Sequence, residues 1–423
     1  IVIALTHAMK IAIVGTGITG ISTALELARD GHQVTVFEQR NAAAEDASFA
    51  PGGWLTPLAA HSLTAPGLGM PLRQLQKNTS LLQASGRLGS PTWRWMRQWK
   101  KNEALIHKHG SNPFGAALHA MGQFSDSLRW QHCEDSEALA ERKRSTLILL
   151  RTPQEASFWS TQIPALKEQG VRCELLNAAQ AQELEPGLGQ DIAWLHALHF
   201  PDGESINPRL WAQHLRLQAQ ELGVAFHTGM DITRIHHNPV GVEVNGQLHP
   251  FEHVVICTGA QRSMLTACGI ALPLMSIWGY SVTAPVRDPL HAPRSAIMDW
   301  EQQATICRMG QRVRITAGLE MGSTPEAAHH QPTLQRMYHL LNDWFPGGVQ
   351  LASAQTQIWR GARGYLPDGL PAVGASQHPG IWLNVAHGSH GISLAAGCAR
   401  ALADMLAGHD AAVDMQAFSP LRF

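Results

Sequence analysis

The clearest patterning of apolar and polar positions lies near the start of the chain, in KIAIVGTGITGISTALELARDGHQVTVFEQR. An apolar run from Ile11 to Val14 predicts a strand, and Ile21, Ala24, Leu25, Leu27 and Ala28 then recur at helical spacing until Gly31. A second strand is predicted from Gln33 to Phe37, ending at Glu38. The same kind of junction returns far downstream. HVVICTGA is an apolar strand that enters a turn at Thr258, Gly259 and Ala260. A strand from Ile381 to Val385 passes through His387, Gly388, Ser389, His390 and Gly391 into a helix carrying Ile392, Ala395, Ala396, Ala399, Leu402 and Leu406 on one side. Between these lie a candidate strand from Ser145 to Arg151, short strand-like runs that predict a hairpin at Gly310 and Gln311, and a helix over 325–345 that stops before Pro346 and Gly347.

The glycines of the first unit assign it a chemistry. Gly15, Gly17 and Gly20 stand in G-x-G-x-x-G spacing between strand and helix, with Ile18 and Thr19 inside the motif. Gly15 permits the tight turn, Gly17 lets a pyrophosphate approach the backbone, and Gly20 lets the helix pack on the strand. The helix N-terminus offers unpaired N–H groups and the positive end of its dipole to the phosphates. Glu38 is placed to accept hydrogen bonds from the adenosine ribose hydroxyls. This is a dinucleotide-binding unit, and by itself it fits FAD and NAD alike. The second strand-glycine-helix junction, at the far end of the chain, suits a cofactor long enough to touch the sheet twice, which favours FAD.

Composition narrows the setting. A chain of 423 residues exceeds the size of one hydrophobic core, so two domains or one with a large insertion are expected. A charged fraction of 15% and a formal charge of -1 argue against nucleic acid and for a small-molecule partner. Six cysteines without C-x-x-C spacing fit free thiols in a reducing compartment, and 23 histidines without an H-E-x-x-H motif give no reason to expect a metal. The stretch IVIALTHAMK lacks a basic leader and a long apolar run, so residues 1–9 are expected to be an extension before a natural start at Met9. No run approaches the length of a membrane span, and a cytoplasmic location is expected, with peripheral contact at the inner face of the membrane left open. That contact has one candidate. In PTWRWMRQWKK, Trp95 and Trp99 are four apart among Arg94, Arg97, Lys100 and Lys101. Such a helix either lies in a membrane interface near quinones or packs its aromatics inward.

Eight segments in this order resemble the FAD-dependent amine oxidoreductases of the D-amino-acid oxidase type, and among them the small-subunit branch of the bacterial D-amino-acid dehydrogenases. They are GTGITG with Glu38, ASFAPGGWLTP, FPDGESINPRLWAQHL, VVICTGA, WGYSVTAPV, RMGQRVRITAGLEMG, RGARGYLPDGLPAVG and AHGSHGISLAAG. The resemblance implies an α/β fold, α+β overall. A Rossmann-like FAD-binding domain is expected from 10–80, 185–265 and 350–423. A discontinuous, mainly antiparallel substrate or cap domain is expected from 81–184 and 266–349. It also implies that Ser48, Gly52 and Gly53 lie along the pyrophosphate and flavin, with Gln39, Arg40 and Ile232 in the same binding surface. Pro51 and Trp54 stand where the pattern has asparagine and glutamine, and His390 stands where it has an apolar residue.

Hydride transfer to a flavin asks the protein mainly for orientation, because the cofactor carries the electron chemistry. A guanidinium grips a carboxylate through two parallel charge-assisted bonds and holds it at one angle. The resemblance places that arginine five residues before the Asp-Gly turn, which is Arg363 counted back from Asp368, followed here by Gly364 in place of proline. Arg360, three residues earlier, belongs on the opposite face of a strand and is expected in a structural ion pair or in contact with solvent. Tyr280 either offers a phenol to the substrate or is a core aromatic, and His387 either lines the pocket near the ring or braces the turn. The implied reaction is oxidation of a D-amino acid to an imino acid, which water hydrolyses to a 2-oxo acid and ammonia, with electrons passed to a quinone or another carrier. The rivals are an oxygen-using oxidase of glycine, sarcosine or a cyclic imino acid and a flavin-binding protein without turnover. Oligomeric state is not legible.

Overall fold

The computed structural model describes residues 8–55, 82–84, 89–109, 113–131, 133, 135–294 and 296–423. Residues 1–7 of the expected extension, and Thr56 and Pro57 at the end of ASFAPGGWLTP, lie outside the described residues.

A six-stranded sheet is built around the first apolar run. Lys10–Val14 lies between Gln33–Phe37 and His253–Ile256, with Ala225–His227 at one edge and Ile381–Val385 and Ala372–Ala375 at the other. All neighbours are parallel except the last pair. The helix Ile18–Arg29 follows the first strand and is buried along nearly its whole length, packed against the C-terminal helix Gly391–Leu406. Gly20 makes that seating possible, since a Cβ there would overlap the carbonyl oxygen of Gly15. Arg400 ties the two helices at their far ends through Asp30, Glu26 and Asp404.

The second sheet has ten strands and is mainly antiparallel. Its path runs through Gln357–Tyr365, Met275–Pro285, Arg312–Met321, Ala304–Met309, Ala296–Asp299, Lys143–Leu150, His196–Ser205 and Trp54–Leu55, with Leu82–Ala84 and Glu174–Asn177 added at its sides. The hairpin expected at Gly310 and Gln311 joins two of these strands, with Gly310 at φ +56°. The strand expected at Ser145 to Arg151 runs from Lys143 to Leu150, and the helix expected over 325–345 runs from Gln331 to Trp344. Three strands from segments expected in the FAD-binding domain, Trp54–Leu55, His196–Ser205 and Gln357–Tyr365, pair into the ten-stranded sheet. A third sheet, of three strands, spans Ile232–His237, Val240–Val244 and Gln247–Pro250.

The helix Ser90–His109 turns two of its tryptophans inward. Trp95 and Trp99 are 3% and 1% exposed and pack with Ile277, Leu319 and Tyr365, so the pair is core. Trp95 Nε1 donates to the carbonyl of Tyr365 at 3.3 Å, which fastens this helix onto the strand that carries Arg363.

Candidate active site

Two cavities, of about 130 and 230 Å³, meet where the two sheets approach each other. Ile18, Ala47, Ser48, Arg363, Gly388 and Gly391 belong to the walls of both, so the pair forms one groove.

The smaller cavity gathers the dinucleotide residues expected from the sequence. Gly15, Gly17, Ile18, Thr19, Glu38, Gln39, Arg40, Ser48, Ile232, Thr258 and Gly259 all line it. Gly20 does not reach it, because its role is the contact with Gly15. Glu38 is held at both oxygens: Thr16 N and Thr16 Oγ1 donate to Oε2 at 2.9 and 2.7 Å, and Arg40 N donates to Oε1 at 2.8 Å. Ser48 Oγ accepts from Ile18 N at 2.9 Å, at the first turn of the helix. Gly17 faces open space, with Ser48 Oγ the nearest atom to a hypothetical Cβ at 3.5 Å.

His387 also lines this smaller cavity and is absent from the wall of the larger one. It is 7% exposed, and burial pulls its imidazole down to about 3, so the ring is neutral near pH 7 and too weak a base to take a substrate proton. Its Nε2 and the Thr258 Oγ1 are buried without a hydrogen-bond partner. Buried polar atoms in a native fold are normally satisfied. Two orphaned groups on one cavity wall, beside an anchored acid and a bare glycine at a helix N-terminus, fit a long dinucleotide rich in acceptors and donors.

The larger cavity has the ten-stranded sheet as its roof. Side chains alternate along Gln357–Tyr365, and Trp359, Gly361, Arg363 and Tyr365 face the cavity. Gly52, Gly53, Ser389, His390 and Ile392 complete the expected set, together with Gly388 and Gly391. Arg363 donates from Nη1 to Ser389 Oγ at 2.9 Å and from Nη2 to the carbonyl of Gly318 at 3.1 Å. Tyr365 Oη and Ser389 Oγ are 2.6 Å apart, so a short hydroxyl chain steadies the guanidinium. No carboxylate pairs with Arg363 among the described residues. Gly364, standing where the pattern has proline, has a local reason: a Cβ there would lie 2.8 Å from the carbonyl oxygen of Gly259.

Arg360 points the other way. Its Nε donates to Glu320 Oε2 at 3.1 Å, its guanidinium lies 4.1 Å over the Trp278 ring, and both members of the pair are almost fully buried. Tyr280 belongs to the same cluster. It contributes to the cavity wall, and its hydroxyl donates to Glu320 Oε2 at 2.6 Å and accepts from His330 N at 3.0 Å, so the phenol is engaged within the fold.

Sequence reasoning missed several wall residues. Trp359 and Tyr365 were available from strand alternation around Arg363. Thr305 and Thr316, whose hydroxyls are 2.5 Å apart above Gly52, come together only through the hairpin register. Arg314 lies outside both walls but supports one of their residues, Pro51, and nothing local to it signalled that. It donates from Nη1 to the carbonyl of Pro51 at 3.0 Å and from Nε to Thr283 Oγ1 at 2.8 Å, and burial lowers its guanidinium to about 10.

A parallel nucleotide-binding sheet, an antiparallel roof and a cation-bearing groove between them define a dinucleotide-dependent oxidoreductase. The family described as DAO, FAD dependent oxidoreductase, matches residues 10–405, and the chain belongs to it, with FAD as its cofactor. A protein of Granulibacter bethesdensis named D-amino acid dehydrogenase is 30% identical over 96% of this chain and 97% of its own length. A protein of the same name from Methylobacterium radiotolerans is 31% identical over 95% and 96%. Glycine oxidase from Geobacillus kaustophilus shares the fold, with a TM-score of 0.72 at 20% identity over 98% of this chain and 100% of its own. No helix among the described residues is long and apolar enough to cross a membrane.

Proposed function

We propose that this chain oxidises the C–N bond of D-amino acids, giving an imino acid that water hydrolyses to a 2-oxo acid and ammonia. One observation carries the reading: Arg363 stands at the junction of the two cavities with no carboxylate partner among the described residues. A guanidinium held by Ser389 and Gly318 keeps further N–H donors for a substrate carboxylate, and its fork fixes the angle of that group. Gly15, Gly17, Glu38 and Ser48 would hold FAD, which would supply the hydride-accepting chemistry for the substrate Cα. The chain's own contribution is to hold the carboxylate, seat the Cα at the junction and leave Arg363 as the only permanent charge among the described residues of the larger cavity. The preference for the D series is supported by the names of the full-length relatives.

The electrons then pass to a quinone or a similar carrier. This reading is supported by the outward side of Ser90–His109, where Trp93 is 58% exposed beside Arg94, Arg97, Lys100 and Lys101. An exposed tryptophan among cations suits peripheral contact with an anionic membrane face on the cytoplasmic side.

Anaerobic mixing of the yellow holoprotein with D-amino acids, L-amino acids, glycine and sarcosine tests the proposal through bleaching of the flavin. D-amino acids should bleach it fastest. Arg363→Ala should stay yellow while kcat/KM falls by about 10²- to 10³-fold, and Arg363→Lys should recover only part, since an ammonium lacks the fork. Undiminished turnover in the alanine variant removes the mechanism.

A further inference from the structure

Gly279 and Gly361 are paired across two neighbouring strands of the roof, and both face the larger cavity. Neither position is empty. A Cβ at Gly279 would stand 2.5 Å from Arg363 Nη2, and a Cβ at Gly361 would overlap the six-membered ring of Trp359. The two bare glycines thus form a floor on which a guanidinium and an indole lie side by side. Residues paired across antiparallel strands are about 4.5–5.5 Å apart, so the indole begins within one small side chain of the cation. Trp359 belongs to the wall of the larger cavity alone, whereas Arg363 reaches both.

We propose that Trp359 is the wall against which the substrate's side chain packs, and that the site takes amino acids with uncharged, apolar side chains. The inference rests on Arg363 as the carboxylate anchor. With the carboxylate on Arg363, the Cα is one bond away, and of its remaining groups only the side chain gains from an apolar face. An indole ring face accepts no strong hydrogen bond from an amine. Met298, Leu319 and Trp54 line the same cavity, and among its described residues Arg363 carries the only permanent charge. A second charge on the substrate would be buried without a partner.

Titrating the holoprotein with acetate, hexanoate and glutarate, followed by the flavin absorbance, tests this without turnover. Hexanoate should bind at least about 10-fold more tightly than acetate, from the methylenes it buries, and glutarate should bind more weakly than hexanoate. Trp359→Ala should cut the ratio of hexanoate to acetate affinity at least about five-fold while acetate itself shifts by less than about three-fold. An unchanged ratio, or glutarate binding as tightly as hexanoate, overturns the inference. Arg363→Ala should weaken all three carboxylates alike. If it leaves acetate binding untouched, the anchor has failed instead, and the two failures are told apart. Should Trp359→Ala not retain flavin, Trp359→Phe keeps a ring over Gly361 and should give an intermediate ratio, and a ratio equal to the parent's overturns the inference as well.

Discussion

At the dinucleotide end of the groove the working surface is largely backbone: Gly15, Gly17, Gly259 and the first turn of a helix, with Glu38 pinned by Thr16 and Arg40. At the larger-cavity end it is side chains presented by a roof, Arg363, Trp359 and Tyr365 from one strand and Thr305 and Thr316 from a hairpin. Backbone surfaces tolerate few residue types, because they depend on what is missing at a position. Side-chain surfaces depend on which strands become neighbours. The first end is therefore written in local spacing, and the second in long-range pairing.

The sharpest way to break the contrast is within the glycines themselves. Gly20 and Gly17 are three apart in one motif, yet a Cβ at Gly20 overlaps a backbone carbonyl while a Cβ at Gly17 meets nothing closer than 3.5 Å. Gly20→Ala should push the helix off its strand, lower the thermal midpoint of the apoprotein and abolish flavin binding. Gly17→Ala should leave that midpoint unchanged and weaken FAD alone, because the methyl group intrudes only where the cofactor lies. Equal losses of stability in both variants would mean that Gly17, too, is a packing residue.

The two arginines of the roof sharpen the contrast at the next scale. Arg360 and Arg363 share a strand, but one closes a buried ion pair with Glu320 and the other faces the groove. Arg360→Met strips a buried carboxylate of its cation and should cost about 3–5 kcal/mol of stability, with little change in carboxylate binding. Pairing it with Glu320→Gln should recover part of the loss. Arg363→Ala should do the reverse, sparing the midpoint and losing the ligand. Thermal unfolding and acetate titration on the same samples separate the two roles.

Much of the first end was legible. Strand, glycines, helix and acid appear in order, and Gly15, Gly17, Ile18, Thr19 and Glu38 of that unit line one cavity, while Gly20 makes an internal contact. The roof was legible in its strands and hairpin but not in its neighbours. Nothing local to Tyr280 announces that Glu320 and the backbone of His330 will claim its hydroxyl, because a strand register and a helix start decide that. Arg314 illustrates the same limit, being set beneath the Pro51 carbonyl by contacts across more than 250 positions of chain. Trp95 and Trp99 carried two readings, and the apolar residues that bury them, Ile277, Leu319, Met321 and Tyr365 from three strands, lie far away in sequence.

His387 bears on the comparison most gently, since it sits at the dinucleotide end but acts through burial. Its folded value of about 3 lies below the ordinary 6.5, so the unfolded chain takes up the proton first. The stability it supports is complete above pH 6.5 and is lost as the pH falls toward 3, by about 1.4 kcal/mol per pH unit across that window. Burial also lowers His32, His214 and His253, which tilt the profile the same way, so the useful quantity is a difference between two proteins. His387→Leu should flatten the fall in thermal midpoint between pH 6.5 and 4 relative to the parent while leaving the profile above pH 7 parallel. If the two profiles stay parallel down to pH 4, the imidazole is already solvated in the folded protein, and its orphaned nitrogen would no longer mark a place kept for the cofactor.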